Sequence, residues 1–281
     1  MEYRIIVDSC GELTHKMKES GIFETAALSM QVDGDTIVDD ESFDQKNFLK
    51  RVAASPECPK SSCPSPEEYM ELYRSGGKRV YAVTLSAELS GSYNSAQLGR
   101  KLFFEEYPEE EKQIYVFNSR SASVGETLIA MKVRECEERG LPFEQTVEET
   151  ERYIEEQHTY FVLENLDTLR KNGRLTGIKS FVASALNIKP VMGSTPEGTI
   201  CQLGQARGMK KALAKMVEQI AGEAKGAKEK VLAIAHCNCP ERAREVERML
   251  LDKVRVRDSF IVDTAGISTM YANDGGIIVV L

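Results

Sequence analysis

At 281 residues and 42% hydrophobic content, the chain has apolar material for two ordinary cores. Its formal charge of -8 and pI near 5.2 exclude the clustered positive charge of a nucleic-acid surface. The same balance disfavours an anionic membrane surface, and no apolar run approaches the roughly 20 residues that cross a bilayer. The first residues lack a signal-peptide pattern and the seven scattered cysteines read as free thiols, so a cytoplasmic location is expected.

Short apolar strands alternating with amphipathic helices predict an α/β fold with mainly parallel sheets. Residues 3–7 read as a buried strand ending at Asp8-Ser9-Cys10-Gly11, followed by a helix over 13–20. Residues 25–38, broken by Asp33-Gly34-Asp35, read as a hairpin. Residues 55–66, with prolines at 56, 59, 64 and 66, read as a loop before a helix opened by Pro66-Glu67-Glu68. A strand over 80–85, a helix over 92–107 and a strand over 113–117 follow. The next helix carries Leu128, Ile129, Met131, Val133 and Cys136 mostly on one face. An acidic helix over 143–157 ends the first half, which divides the chain into domains 1–157 and 158–281.

The second half predicts a strand over 160–163, a helical turn over 166–170 and the loop Asn172-Gly173-Arg174. An apolar helix over 181–186, a hairpin around 193–204 and a helix over 209–221 come next. A strand over 231–235, a charged helix over 240–251 and strands over 260–262 and 276–281 close the chain.

The chemistry lies in hydroxyl-rich loops set just after strands: Asp8-Ser9, Ser61-Ser62, Ser86 with Ser90-Gly91-Ser92, and Ser119 with Ser121. In a parallel α/β sheet such loops converge where ligands bind. The run Ser90-Gly91-Ser92 also opens a helix, whose N-terminal N–H groups and dipole favour an anion. Taken singly, each serine is better explained as a helix cap; several such loops together weaken that explanation.

Six segments in order resemble the DegV family of fatty-acid-binding proteins. They are Ile6-Val7-Asp8-Ser9, Ser61-Ser62-Cys63-Pro64-Ser65-Pro66, residues 85–96, residues 118–123, residues 169–175 and Asn187-Ile188-Lys189-Pro190-Val191. The resemblance implies two α/β domains with a lipid tunnel between them and a long-chain fatty acid as ligand. Ser61 and Ser90 would hold its carboxylate, with Ser62, Gly91, Ser92 and Ser119 nearby. It implies a carrier without catalysis or cofactor, and a fatty acid kinase as a partner. Arg174 and Arg207 are the candidates for contacting that partner or an acyl phosphate. The chain departs from the family pattern in three places. Ser61 stands where threonine is usual, Cys63 where glutamine is usual, and residues 267–276 hold no histidine, Ala272 falling about where one would. The first two leave lipid binding intact; the third weighs on delivery to a kinase.

An acyl- or phosphoryl-transfer enzyme using the same loops is the alternative. It lacks the nucleophile elbow, a histidine base beside the serines and a phosphate-binding glycine loop. His236-Cys237-Asn238-Cys239 offers too few ligands for a closed zinc site, and no metal is expected.

Overall fold

Ile5, Ile6 and Val7 are wholly buried, because helices cover both faces of the strand that carries them. The computed structural model describes residues 2–75, 77–175 and 187–281. The first half runs β1 (Tyr3–Asp8), α1 (His15–Glu19), β2 (Phe23–Ala26), β3 (Ser29–Val32), β4 (Asp35–Val38) and α2 (Gln45–Ala54). It continues through β5 (Lys60–Ser62), α3 (Pro66–Ser75), β6 (Arg79–Thr84), α4 (Ser92–Glu106), β7 (Gln113–Asn118), α5 (Val124–Glu138) and α6 (Phe143–Glu155). The second half holds β8 (Thr159–Val162), α7 (Asp167–Lys171), β9 (Ile188–Ser194), β10 (Ile200–Arg207) and α8 (Met209–Glu223). It closes with β11 (Val231–His236), α9 (Pro240–Leu251), β12 (Asp258–Asp263), α10 (Gly266–Ala272) and β13 (Ile277–Val280).

The α/β class holds, with one sheet wholly parallel and another mixed. β2-β1-β6-β7 form the parallel sheet. One of its faces packs Ile6, Val80 and Val116 against Tyr69, Tyr73 and Phe103 of α3 and α4. The other packs Ile5, Val7 and Phe117 against Ile129 and Val133 of α5. The second sheet, β10-β9-β8-β13-β11-β12, departs from the expected parallel pattern: only β11 and β12 run parallel. A short turn over 195–199 makes β9 and β10 a hairpin, and β13 returns between β8 and β11 in the opposite sense. Val124 and Leu128 of α5 also pack on Val231, Ala233, Ala235 and Val280, so α5 lies between the two sheets.

Three local readings need correction. The predicted hairpin is confined to β3 and β4, whose turn uses Asp33 and Gly34 at φ +53° and +84°. Its first residues instead belong to β2, a parallel neighbour of β1, because Phe23 and Ala26 are drawn into the core. Helix α2, a stretch to which no element was assigned, buries chiefly Phe48 and starts where Asp44 accepts the Asn47 N–H at 3.0 Å. The proline-rich loop contains β5, which pairs with β3 through Met30↔Ser61 and Ser29↔Ser62. Ser65 and Glu68 then form a capping box that starts α3. The helix expected over 181–186 lies outside the described residues. Among the described residues no helix is long and apolar enough to cross a membrane.

Candidate functional site

The chain leaves β1 toward β2 on one side and returns to β6 on the other. The crevice between the ends of β1 and β6 is therefore a topological switch point, the usual place for a ligand in an open α/β sheet. Asp8 fills its floor. Fully buried, it accepts from the Leu85 N–H at 2.8 Å, the Cys10 N–H at 3.2 Å and the Ser92 hydroxyl at 2.5 Å. Around it lie further buried acids. Glu12 accepts from the Ser123 hydroxyl at 2.7 Å, and Asp39 accepts from the N–H groups of Gly266 and Ile267 at 2.7 and 2.8 Å. Burial pushes Glu12 up to about 8 and Asp39 up to about 6, and raises Asp8 and Glu126. At about 8, Glu12 keeps its proton at neutral pH.

Against this polar floor lies a narrow, almost wholly apolar cavity. Cys10, Leu85, Leu89 and Ala122 line it from the loops of the parallel sheet. Phe161, Leu163 and Ile278 line it from the second sheet, and Ile267, Tyr271 and Ala272 from α10. The space thus lies between the two halves of the chain. The Ser121 and Thr159 hydroxyls, 2.6 Å apart, join those halves beside it.

The β9–β10 turn closes one wall. The Ser86 hydroxyl donates to the Gly198 carbonyl at 2.9 Å, and Gly198 sits at φ +94°. A Cβ there would strike Ser86 Oγ and stand 2.8 Å from Arg120 Cα. Gly198→Ala should therefore cost about 2 kcal/mol by urea unfolding, from backbone strain and lost docking. An unchanged midpoint would show that the turn tolerates the side chain.

The polar end is built from four elements. Arg174 lines the cavity, donates through Nε to the Leu89 carbonyl at 3.0 Å and through Nη1 to the Asn172 carbonyl at 2.6 Å. Its guanidinium stands over the Tyr271 ring, 5.8 Å from the centroid. The Tyr271 hydroxyl lies 3.0 Å from Ser61 Oγ. Cys63 packs on the start of α4, where a Cβ on Gly91 would come within 3.2 Å of its sulfur. That close approach sets β5 beside the Ser90 loop.

The expected site residues divide accordingly. Ser61 and Ser90 are half-buried and stand one contact behind the cavity wall: Ser61 touches Tyr271, and Ser90 follows the wall residue Leu89. Ser90 also accepts the Ser92 N–H at 3.2 Å, a local bond made one residue before the N-cap of α4. Gly91 is exposed at the N-cap of α4. Ser92 is not a wall residue; it is wholly buried between Asp8 and the Tyr69 hydroxyl, 2.7 Å away. Ser62 is exposed, because strand alternation turns it away from the side Ser61 faces. Ser119 is buried in its own turn, donating to the Ser121 carbonyl at 3.1 Å. Arg174 joins the cavity, whereas Arg207 is exposed at the end of β10 and does not line it. His236 accepts the Cys239 N–H at 3.3 Å and lies 3.3 Å from Asp263, which makes its motif a turn after β11.

Tyr271 escaped sequence reasoning. It lies on α10, a seven-residue helix without a periodic stripe, anchored by Asp39 from the far end of the chain. Ala272, where a histidine would fall, is a wall residue, and the adjacent tyrosine supplies the hydroxyl there.

A family model described as "Uncharacterised protein, DegV family" matches residues 2–280. A DegV family protein from Ruminococcus gnavus, refined with vaccenic acid, is 65% identical with a TM-score of 0.96, covering 99% of each chain. The Streptococcus pneumoniae Fatty Acid Kinase B3 protein, loaded with linoleic acid, is 32% identical with a TM-score of 0.87, covering 100% of this chain and 99% of that one. A DegV domain-containing protein of S. pneumoniae is 33% identical over 258 residues, 91% of this chain and 89% of its own length.

Proposed function

The chain belongs to the DegV family, and we propose that it is a carrier that holds one long-chain fatty acid without transforming it. The tail occupies the apolar cavity, and the carboxylate sits at the end marked by Ser61, Ser90 and Arg174. The single observation that carries this reading is the cavity itself: apolar walls drawn from both halves, with a guanidinium and hydroxyls gathered at one place. An anion in such a dry site needs charge-assisted donors, and the tail adds about 0.8 kcal/mol per buried CH₂ before ordering costs. The fatty acids in the R. gnavus and S. pneumoniae structures support the same reading. The chain divides into domains 1–157 and 158–281; all strands of the parallel sheet precede the division and all strands of the six-stranded sheet follow it.

Presentation of the acid to a partner kinase is the finer step of the proposal. Arg174, beside the carboxylate end, is its candidate phosphate contact, and Arg207 a peripheral one. The likeness to the Fatty Acid Kinase B3 protein supports this step.

Native mass spectrometry of protein purified without added lipid should show a mass increment matching one long-chain acid. Apo protein alone, with no acyl chain on organic extraction, would overturn the proposal. Ser90→Ala should raise the Kd for palmitate at least tenfold, since a hydrogen bond to a charged group contributes about 1.5–3 kcal/mol. Equal Kd values in the two proteins would confine Ser90 to its local bond with Ser92.

A further inference from the structure

We infer that Glu12 ties lipid occupancy to a proton: the acyl tail is held while Glu12 is protonated and loosened once Glu12 ionises. The inference rests on the carrier reading and adds to it a control that no head-group contact supplies.

Glu12 stands between the lipid cavity and solvent. On one side its carboxyl accepts from the Ser123 hydroxyl at 2.7 Å, and Ser123 is a wall residue of the cavity. On the other side Glu12 borders an open cleft. The residue is only 4% exposed, and its Oε1 has no hydrogen-bond partner among the described residues. The neighbouring wall hydroxyl, that of Ser268 on α10, is turned to the Cys10 carbonyl at 3.1 Å. An orphaned oxygen in so buried a place is costly for a carboxylate, whereas in the neutral acid it can carry the proton. The other buried acids lack this position. Asp8 and Glu126 border neither space, and both oxygens of Asp39 are taken by N–H groups of α10.

The titratable groups that face Glu12 are Glu126 from α5, Asp39 from the connection between β4 and α2, and the Cys10 thiol from its own loop. None is a cation. Lys18 of α1 borders the cleft, which it shares with Glu24, Asp40, Glu41 and Asp263. Burial accordingly holds Glu12 up to about 8 in the free protein. A bound tail acts in the same direction. With the cavity empty, Ser123 and Ser268 give that corner the polar partners a water needs; methylenes in its place solvate no charge. Lipid-bound Glu12 therefore keeps its proton to a higher pH than free Glu12. By linkage, lipid binding takes up a proton, and affinity falls as pH rises through about 8, then levels off above the lipid-bound value.

The test is the Kd of delipidated protein for palmitate, followed with pH beside that of Glu12→Gln, whose amide stands in for the neutral acid. From about pH 7 to about pH 9.5 the wild-type Kd should rise about tenfold, the effect of one unit between free and bound states, and the variant's less than about twofold. Calorimetry at pH 8, in two buffers of different ionisation enthalpy, should count about half a proton taken up per palmitate by the wild type and none by the variant. A flat wild-type Kd, or the same rise in both proteins, would overturn the inference. So would binding without proton uptake, a wild-type measurement that stands even if Glu12→Gln does not fold. If the wild type binds no palmitate at any pH, the carrier reading itself fails and the inference with it. If it binds palmitate without proton linkage, only the role of Glu12 is lost.

Discussion

Protein carrying Ala272→Phe should be isolated without an acyl chain, although it folds. Ala272 is 2% exposed and faces the cavity, so the added ring has existing space to enter and competes with the lipid tail for it. Its surroundings, Phe161, Leu163, Leu169 and Met192, are apolar and accept a phenyl group without an unpaired polar atom. Forcing a larger side chain into a packed region costs about 1–3 kcal/mol, which a two-domain protein of this size tolerates. The lost ligand, by contrast, had contributed about 0.8 kcal/mol per buried methylene, so displacing even part of the tail removes most of the affinity. Native mass spectrometry and organic extraction of the variant read the outcome directly. A folded variant that retains a full complement of lipid would mean that the acyl chain lies somewhere other than this cavity.

The second large effect belongs to the buried acids under the cavity, and its direction follows from where Glu12 holds its proton. In the unfolded chain Glu12 ionises near 4.5; in the folded protein, burial moves this to about 8. Between these values the unfolded state has released a proton that the folded state keeps. Stability therefore falls as pH rises through this window and levels off above it. The displacement from 4.5 to about 8 corresponds to roughly 5 kcal/mol for this one group. Glu12→Gln cannot ionise, yet it retains an oxygen that accepts from Ser123. The variant should thus gain several kcal/mol on the wild type between pH 5 and pH 9, judged by urea unfolding of both proteins. Asp39, pushed up to about 6, contributes a smaller descent that both proteins keep. Parallel stability profiles would show that Glu12 ionises in the folded state as it does in water. The same cluster bears on the site, since Cys10, Ser123 and Ser268 stand between these acids and the cavity.

Much of the architecture was legible because its signals are local. The apolar runs of β1, β6 and β11 and the stripe of α5 identify themselves, since each is buried by its own composition and period. The failures share a different cause. β2, β5 and α10 are short, and each exists because a distant partner completes it: β1, β3 and Asp39 respectively. Ser92 and Ser119 look like Ser61 and Ser90 in sequence, but they are buried beside Asp8 and within a serine turn, whereas Ser61 and Ser90 stay half-buried just behind the cavity wall.

The sequence by itself determined the α/β class, the family resemblance and the segments in which Ser61, Ser90 and Arg174 lie. Only the tertiary structure decided which hydroxyls reach the cavity, and it added Tyr271. The reason is physical: a strand or helix is written in the period of its own residues, whereas a cavity is the space left between elements. Ser61 and Tyr271, 210 residues apart, meet only because the sheet containing β5 and the anchor of α10 are built from the same stretch of chain.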